Sequence, residues 1–353
     1  MMKQRRILST LLCAVMLCAL VAGLSACKKQ VAKTTTPPPA KKKEPVVVPE
    51  KPKVWPLTGV ESPEGAPIER FPLSVKIENM KSVRPQTGIN SADIVYETEV
   101  EGGITRFNCL FDSSVPDEVG PVRSARLSDL WIVPQYQGLL FYSGANAQVL
   151  GGLTERGLTK LDGNAAGALY YRVKGKSAPH NLFLALSKAY DKASALGIET
   201  TATGERRGPV FGDLASGETT SPAASVSIPF SSLTHVAWTW DAASGHYLRA
   251  SDGAVHTDAA TGEQVSSTNV VVMWAAYTQQ GVLDPAGNPT WDITLGGSGK
   301  AAIFRGGQRI DGTWSATKDA PPTFTDAAGK SIPLAPGKTW FEVVRTDVSI
   351  VSQ

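Results

Sequence analysis

Apolar and polar residues alternate along two runs, 94–101 and 104–111, separated by Gly102-Gly103. Period-two alternation predicts half-buried strands, and a Gly-Gly pair supplies the positive φ of a two-residue hairpin turn. Placing Glu101 against Ile104 sets Glu99 against Arg106, Thr98 against Phe107 and Tyr96 against Cys109. In that register one face carries Tyr96, Phe107, Cys109 and Phe111 and suits a core. The other carries Glu97, Glu99, Glu101, Arg106 and Asn108. Residues 73–78 read as a further strand.

Beyond the hairpin, Gly120-Pro121-Val122-Arg123 leads into a helix expected from Ser124. Residues 139–142 read as a short buried strand, and Ser143-Gly144-Ala145-Asn146 as a cap before a second helix. Residues 185–196 read as a helix, with Ser187 as an alternative start and Gly197 just past its end. Strands interspersed with helices predict a mixed α/β N-terminal domain over residues 56–200. Residues 201–225, rich in Gly, Ser, Thr and Ala, read as a connecting segment. After it, 234–240, 246–250, 269–277, 291–295, 301–305, 309–314 and 340–344 all read as strands. They define a smaller β-rich C-terminal domain, 226–350, so the expected fold class is α+β.

The longest apolar run precedes all of this. Lys3, Arg5 and Arg6 are followed by apolar residues 7–24, and Leu24-Ser25-Ala26 leads to Cys27. That is the layout of a bacterial lipoprotein signal peptide over residues 1–26. The run is short for a spanning helix, which needs about 20 apolar residues. The thiol of Cys27 is the expected lipidation site, taking diacyl chains such as palmitate. The lipid would anchor the protein to the outer, extracytoplasmic face of the plasma membrane. Residues 27–55 form a Lys/Pro-rich tether that could reach about 80 Å in polyproline geometry. Its lysines suit anionic headgroups, or serve only as a solvated spacer.

The tether also conceals the charge of the rest. The chain carries a net +3 over 353 residues, but residues 28–54 hold eight lysines against two acids. The part beyond them has 24 basic and 30 acidic residues. A mildly acidic body argues against nucleic acid as a partner. Cysteine usage is equally plain. Cys13 and Cys18 lie within the signal, so Cys109 is the one thiol beyond the anchor. It sits in an apolar run and reads as a buried small hydrophobe. A lone thiol can form neither an internal disulfide nor a cysteine zinc site.

No His-Glu-x-x-His zinc helix and no Gly-x-Ser-x-Gly elbow occurs, and Gly296-Gly297-Ser298-Gly299-Lys300 lacks the spacing of a phosphate loop. No metal ion or cofactor is expected, and no catalytic residue is assigned. The candidate chemistry lies in Arg123 and Arg126, three apart and hence on one face of a helical turn. Cations at a helix start oppose its dipole unless they converge with free N–H groups on an anion. Arg106, Glu99, His180 and Asn181 are candidates for the same anion or ligand site. The competing reading pairs the arginines with Glu97, Glu99 or Glu101. His180 could act as acid or base, or be held structurally. The tryptophans at 238, 240, 274, 291, 314 and 340 suit a core, or a sugar-binding surface.

Three stretches resemble a known family. They are Arg84-Pro85-Gln86-Thr87-Gly88 with Ala92-Asp93-Ile94-Val95-Tyr96-Glu97, Glu101 to Phe107 with Gly120 to Arg126, and Ala178-Pro179-His180-Asn181-Leu182. Together with Gly312-Thr313-Trp314 and Pro336 to Trp340, they make the chain similar to the YerB-like bacterial lipoproteins over residues 57–346. The resemblance implies two domains of unknown function and a link to cell-envelope synthesis. Family members often carry a His-Ala-Gly-Gly-Ser-like run where this chain has Tyr142-Ser143-Gly144-Ala145-Asn146. A catalytic role for that histidine would therefore be missing here. The leading expectation is a non-catalytic binder of peptidoglycan, of an anionic wall polymer or of a wall-synthesis protein. The alternatives are a hydrolase or transferase acting on a phosphate-bearing envelope substrate, and a solute-binding lipoprotein.

Cys27→Ser, expressed in a lipoprotein-processing host, is expected to leave the detergent phase on extraction. Retention of membrane association together with an uncleaved signal would refute lipidation.

Overall fold

The computed structural model describes residues 52–284 and 287–353. Cys27, the signal segment and most of the tether lie outside them. The chain enters the fold at Trp55, whose N–H donates to the Val60 carbonyl at 2.9 Å, and Leu57 is fully buried.

Among the described residues the main sheet has 11 strands, with Ile94–Glu99 near its middle. On one side lie Thr105–Phe111 and Leu73–Glu78, antiparallel, then Leu139–Tyr142 and Lys160–Asp162, parallel. On the other side Thr339–Arg345 and Asn269–Ala275 run parallel, and Gly297–Arg305, Gln308–Thr317 and Ala320–Thr325 continue antiparallel. Segments 56–200 and 226–350 thus contribute strands to one sheet and meet where the Ile94 and Thr339 strands pair. A second sheet, built around His235–Asp241 and His246–Ser251, packs on one face. Its Trp238 and Tyr247 share a core with Val95, Phe107, Val270 and Trp340. On the opposite face Tyr96, Leu110 and Phe341 pack with Ile132 and Tyr136 of the Asp129–Gln135 helix. All α-helices of the described residues lie before residue 200, so the architecture is α+β.

Double coverage explains why the hairpin register differs from expectation. Glu99 lies opposite Thr105, and Arg106 opposite Thr98. The turn uses three residues, Glu101-Gly102-Gly103, and closes with Val100 N–H to Ile104 O at 2.8 Å. Gly102 and Gly103 both take positive φ, 73° and 71°. Glu99 and Arg106 therefore point to opposite faces. Alternation could not choose the register, because both faces of these strands are buried.

The helix expected from Ser124 starts at Asp129 instead. The Arg123 and Ala125 N–H groups donate to the carbonyls of Lys76 (2.9 Å) and Gly144 (3.0 Å), which holds this stretch out of a helix. Elsewhere local signals hold. Asn146 caps Ala147–Glu155 by accepting from Val149 N–H at 2.9 Å. The expected 185–196 helix forms as the turn Leu186–Lys188 and the helix Ala189–Ala195, followed by Gly197 at φ 70°. Trp238, Trp314 and Trp340 are core residues, and Trp240, Trp274 and Trp291 pack against the core. Cys109 is fully buried, which pushes its thiol well above the usual range.

Charged side chains inside this sandwich must be matched. Glu97 and Glu342 are cross-strand neighbours facing the second sheet. Arg249 reaches down from that sheet and pairs with Glu97 at 2.5 Å, with both side chains fully buried. Its guanidinium lies 5.1 to 5.8 Å from the ring centres of Phe107, Trp238 and Trp340. It also contacts His256 Nδ1, while His256 Nε2 lies 2.7 Å from Gln86 Oε1. Burial and the Arg249 charge hold His256 well below its ordinary value, hence neutral. Glu342 Oε1 accepts from Trp238 Nε1 at 2.7 Å. Burial, and then the Glu97 charge, push the Glu342 carboxyl well above the carboxylate range.

The native state therefore keeps a proton on Glu342 that the unfolded chain releases at about pH 4.3. Stability should fall as pH rises from there towards the raised native value, by up to ~1.4 kcal/mol per pH unit. Urea melts of Glu342→Gln between about pH 5 and about pH 8 should lose this slope. Arg249→Met, which strands Glu97, should cost about 3–5 kcal/mol. A Glu342→Gln slope equal to wild type would show that the native acid is ionised.

Candidate functional site

The face of the main sheet opposite the second sheet carries the site. On the Leu73–Glu78 strand, Ser74, Lys76 and Glu78 share this face, and Lys76 and Glu78 lie opposite Asn108 and Arg106. The non-helical stretch 122–126 runs along their edge. Val122 N–H donates to Leu182 O at 2.7 Å, and Ser143 N–H to Arg123 O at 3.0 Å.

Asp129 organises the inner half. Its Oδ1 accepts from Lys76 Nζ and from Asn108 Nδ2, each at 2.9 Å, and its Oδ2 from Arg126 N–H at 2.7 Å. Lys76 and Asp129 are both fully buried, and burial lowers the Lys76 ammonium from its ordinary value. Ser74 completes the row by donating to Asn108 Oδ1 at 2.8 Å.

The outer half holds the predicted arginines. Arg126 sets Nε and Nη2 on Glu101 Oε2 at 2.8 and 2.6 Å, and Nη1 on Ala125 O at 2.9 Å. Arg123 Nε lies 3.3 Å from Glu78 Oε1, and His180 Nδ1 lies 3.0 Å from both oxygens of the same carboxylate. Arg106 has no ion-pair partner among the described residues. It donates to Ser124 O at 3.4 Å, and its buried Nε is unpartnered. Burial first, then the neighbouring Arg126 charge, bring its guanidinium down to about 9. Beside Arg126 opens a cavity of about 510 Å³, lined by Glu101, Ser124, Asn146 and Thr290 among others. A larger hollow, about 860 Å³, runs past Trp274 and Gly299, but its Lys300, Asp311 and Asp347 are exposed surface groups.

The predicted set therefore divides. Arg106, Arg123, Arg126 and His180 gather around Glu78, Glu101 and the Ser124 main chain. Glu99 points to the other face, where it pairs with Arg345. Burial raises its carboxyl, against the lowering by Arg345. Asn181 braces its own loop, accepting from Arg172 at 2.6 Å and donating to Lys176 O at 2.9 Å. Sequence reasoning missed Lys76, Glu78 and Asp129. For Lys76 and Glu78 the available signal was the strict alternation of Leu73–Glu78, which sets Ser74, Lys76 and Glu78 on one face.

This sheet, with its charged row, belongs to a recognised class. A family model described as "Protein of unknown function (DUF3048) N-terminal domain" matches residues 57–199, and its C-terminal counterpart matches residues 226–341. The chain belongs to this family. It is 30% identical over 296 residues to the "Putative lipoprotein YerB" of Bacillus subtilis (strain 168), covering 82% of this chain and 85% of that protein. It is also similar to the crystal structure of YerB protein from Bacillus subtilis, with a TM-score of 0.73 and 28% identity. That match covers 85% of this chain and 99% of that one. Among the described residues no helix is long and apolar enough to cross a membrane.

Asp129→Ala is expected to cost about 3–5 kcal/mol in a denaturant melt, because it strands the buried Lys76 charge. The double change Lys76→Met with Asp129→Leu should cost much less. Equal losses in the two variants would mean that charge pairing is not what Asp129 contributes.

Proposed function

We propose that this chain is a lipid-anchored, extracytoplasmic envelope protein that binds a phosphate-bearing wall polymer without catalysing its conversion. Signal cleavage at Cys27 and lipidation there would hold it on the outer face of the plasma membrane. The name of the Bacillus relative supports the anchor, as does the Leu24 to Cys27 sequence.

One observation carries the binding reading. Around Ser124, Arg123 pairs with Glu78 and Arg126 with Glu101, while Arg106 forms no ion pair among the described residues; Asp284 also lines the Arg126 cavity. A buried guanidinium without an ion pair favours an approaching anion, and guanidinium forks match phosphate oxygens. Arg123 and Arg126 keep part of their side chains exposed, 20% and 14%, and would make the direct contacts. A binder is favoured over an enzyme because His180, the imidazole of the cluster, is not part of the wall of the Arg126 cavity. The Glu78–His180 contact is the observation that favours the enzyme reading, since a carboxylate on Nδ1 orients an imidazole for proton transfer.

Calorimetry on the full chain in detergent micelles, with inorganic pyrophosphate and glycerol phosphate as probes, tests this. Binding should weaken with salt. Arg126→Lys should weaken it by about tenfold, about 1.4 kcal/mol, because lysine keeps the charge and loses the fork. Equal affinity in wild type, Arg123→Ala and Arg126→Ala would rule the site out.

A further inference from the structure

Two short strands, Tyr170–Arg172 and Leu182–Leu184, pair as a hairpin beside the arginine cluster. No Asp or Glu occurs between Asp162 and Asp191, while Arg172, Lys174, Lys176, His180 and Lys188 all fall in that stretch. In a body with more acidic than basic residues, this is a local concentration of positive charge. Arg172, Lys174 and Lys176 are exposed, and among the described residues none of them forms an ion pair.

The hairpin presents these cations on an ordered tip. Val173 N–H donates to Asn181 O and His180 N–H to Ser177 O, each at 2.9 Å. The Asn181 side chain ties the two sides together through Arg172 Nη1 and the Lys176 carbonyl. Gly175 makes the turn at φ 82°, and Lys176 Nζ lies 5.7 Å from the centre of the Phe183 ring. The acids that contact the hairpin are already engaged. Glu118 accepts from the Tyr171 hydroxyl at its base, and Glu78, 1% exposed, is shared between His180 and Arg123. Asp162 caps the helix Gly163–Ala166. Two contacts make the hairpin continuous with the arginine cluster. His180 Nδ1 lies 3.0 Å from the carboxylate that also holds Arg123. Leu182 O accepts at 2.7 Å from the N–H of Val122, the residue before Arg123.

We infer that the tip of this hairpin is a docking surface for a linear polyanion, which continues there from a phosphate held at Arg123 and Arg126. The inference rests on the reading of the arginine cluster given above and specifies its ligand. That ligand is a polymer whose negative charges repeat along one strand and are held at both places, not a single small anion. Neighbouring cations without ion pairs repel one another, and a polyanion relieves that repulsion while releasing its own counterions. Engagement at two linked places multiplies affinity through effective concentration.

The test is calorimetry on the full chain in detergent micelles with inorganic pyrophosphate and long-chain inorganic polyphosphate. The long chain should bind at least about a hundredfold more tightly than pyrophosphate. Lys174→Gln combined with Lys176→Gln changes two exposed positions, so folding should persist. The pair should weaken polyphosphate binding by about tenfold and flatten its salt dependence, with pyrophosphate affinity unchanged. Lys300→Gln combined with Lys318→Gln, two exposed lysines outside the hairpin, should leave both affinities unchanged. The tether's lysines are common to every variant, so the differences report on the hairpin. Polyphosphate binding that needs the hairpin lysines but neither arginine would refute the reading of the arginine cluster and keep the hairpin surface. Binding that needs the arginines but not the hairpin lysines would overturn the hairpin surface. So would an equal loss in the Lys300 and Lys318 variant, or displacement of polyphosphate by phosphatidylglycerol added to the micelles.

Discussion

The main sheet is covered on both faces, and every charged side chain on its central strands therefore has to find a partner away from water. Glu97 meets this demand with Arg249, and Glu342 by keeping its proton. On the opposite face Lys76 meets it with Asp129. Such pairs add little net stability against an apolar alternative, because desolvation offsets most of the attraction. Their effect is on specificity. A one-residue slip of the Ile94 strand would turn Glu97 away from Arg249 and bring Thr98 or Tyr96 into its place. The buried pair thereby selects one register on strands whose two faces are both apolar enough to sit inside. It also joins the two segments, since Glu97 lies before residue 200 and Arg249 and Glu342 after residue 226.

The arginine cluster grows out of the same constraint at the edge of the sheet. Arg106 is placed on this face by the register, opposite Glu78. Glu78 is drawn instead to Arg123 and His180, and Glu101 to Arg126. That leaves Arg106 with a carbonyl and, among the described residues, no ion pair, with Glu101 and Glu78 acting on it at longer range. Among the described residues the other central charges are paired or, for Glu342, neutralised by a proton, whereas Arg106 has no ion pair and lies beside the two arginines that reach solvent. That missing ion pair is the observation on which the proposed anion site rests.

Much of the fold was legible in the sequence where the signal is local. Asn146 announces a helix start through its side-chain acceptor, and Gly197 a helix end through its positive φ. The strands at 235–241 and 269–275 follow from alternation and from a continuous apolar run. What was not legible depends on tertiary partners. The hairpin slipped by one residue because alternation assumes one wet face and neither face is wet. The stretch after Arg123 missed becoming a helix because its N–H groups found the Lys76 and Gly144 carbonyls, a contact between chain segments far apart. For the candidate site, the basic residues could be named but not their counter-charges. Alternation puts Glu78 on the polar face of its strand but does not say that this face is covered, and Glu99 was assigned to the site through the wrong register.

The most direct test of the proposed anion site is a crystal structure of the protein soaked in tungstate, a heavy phosphate analogue with strong anomalous scattering. An anomalous peak between Arg123 and Arg126, with oxygens at hydrogen-bond distance from both guanidiniums, is the predicted result. Tungstate bound only elsewhere, with the Arg123–Glu78 and Arg126–Glu101 contacts intact, would contradict it and leave the arginines as structural ion pairs.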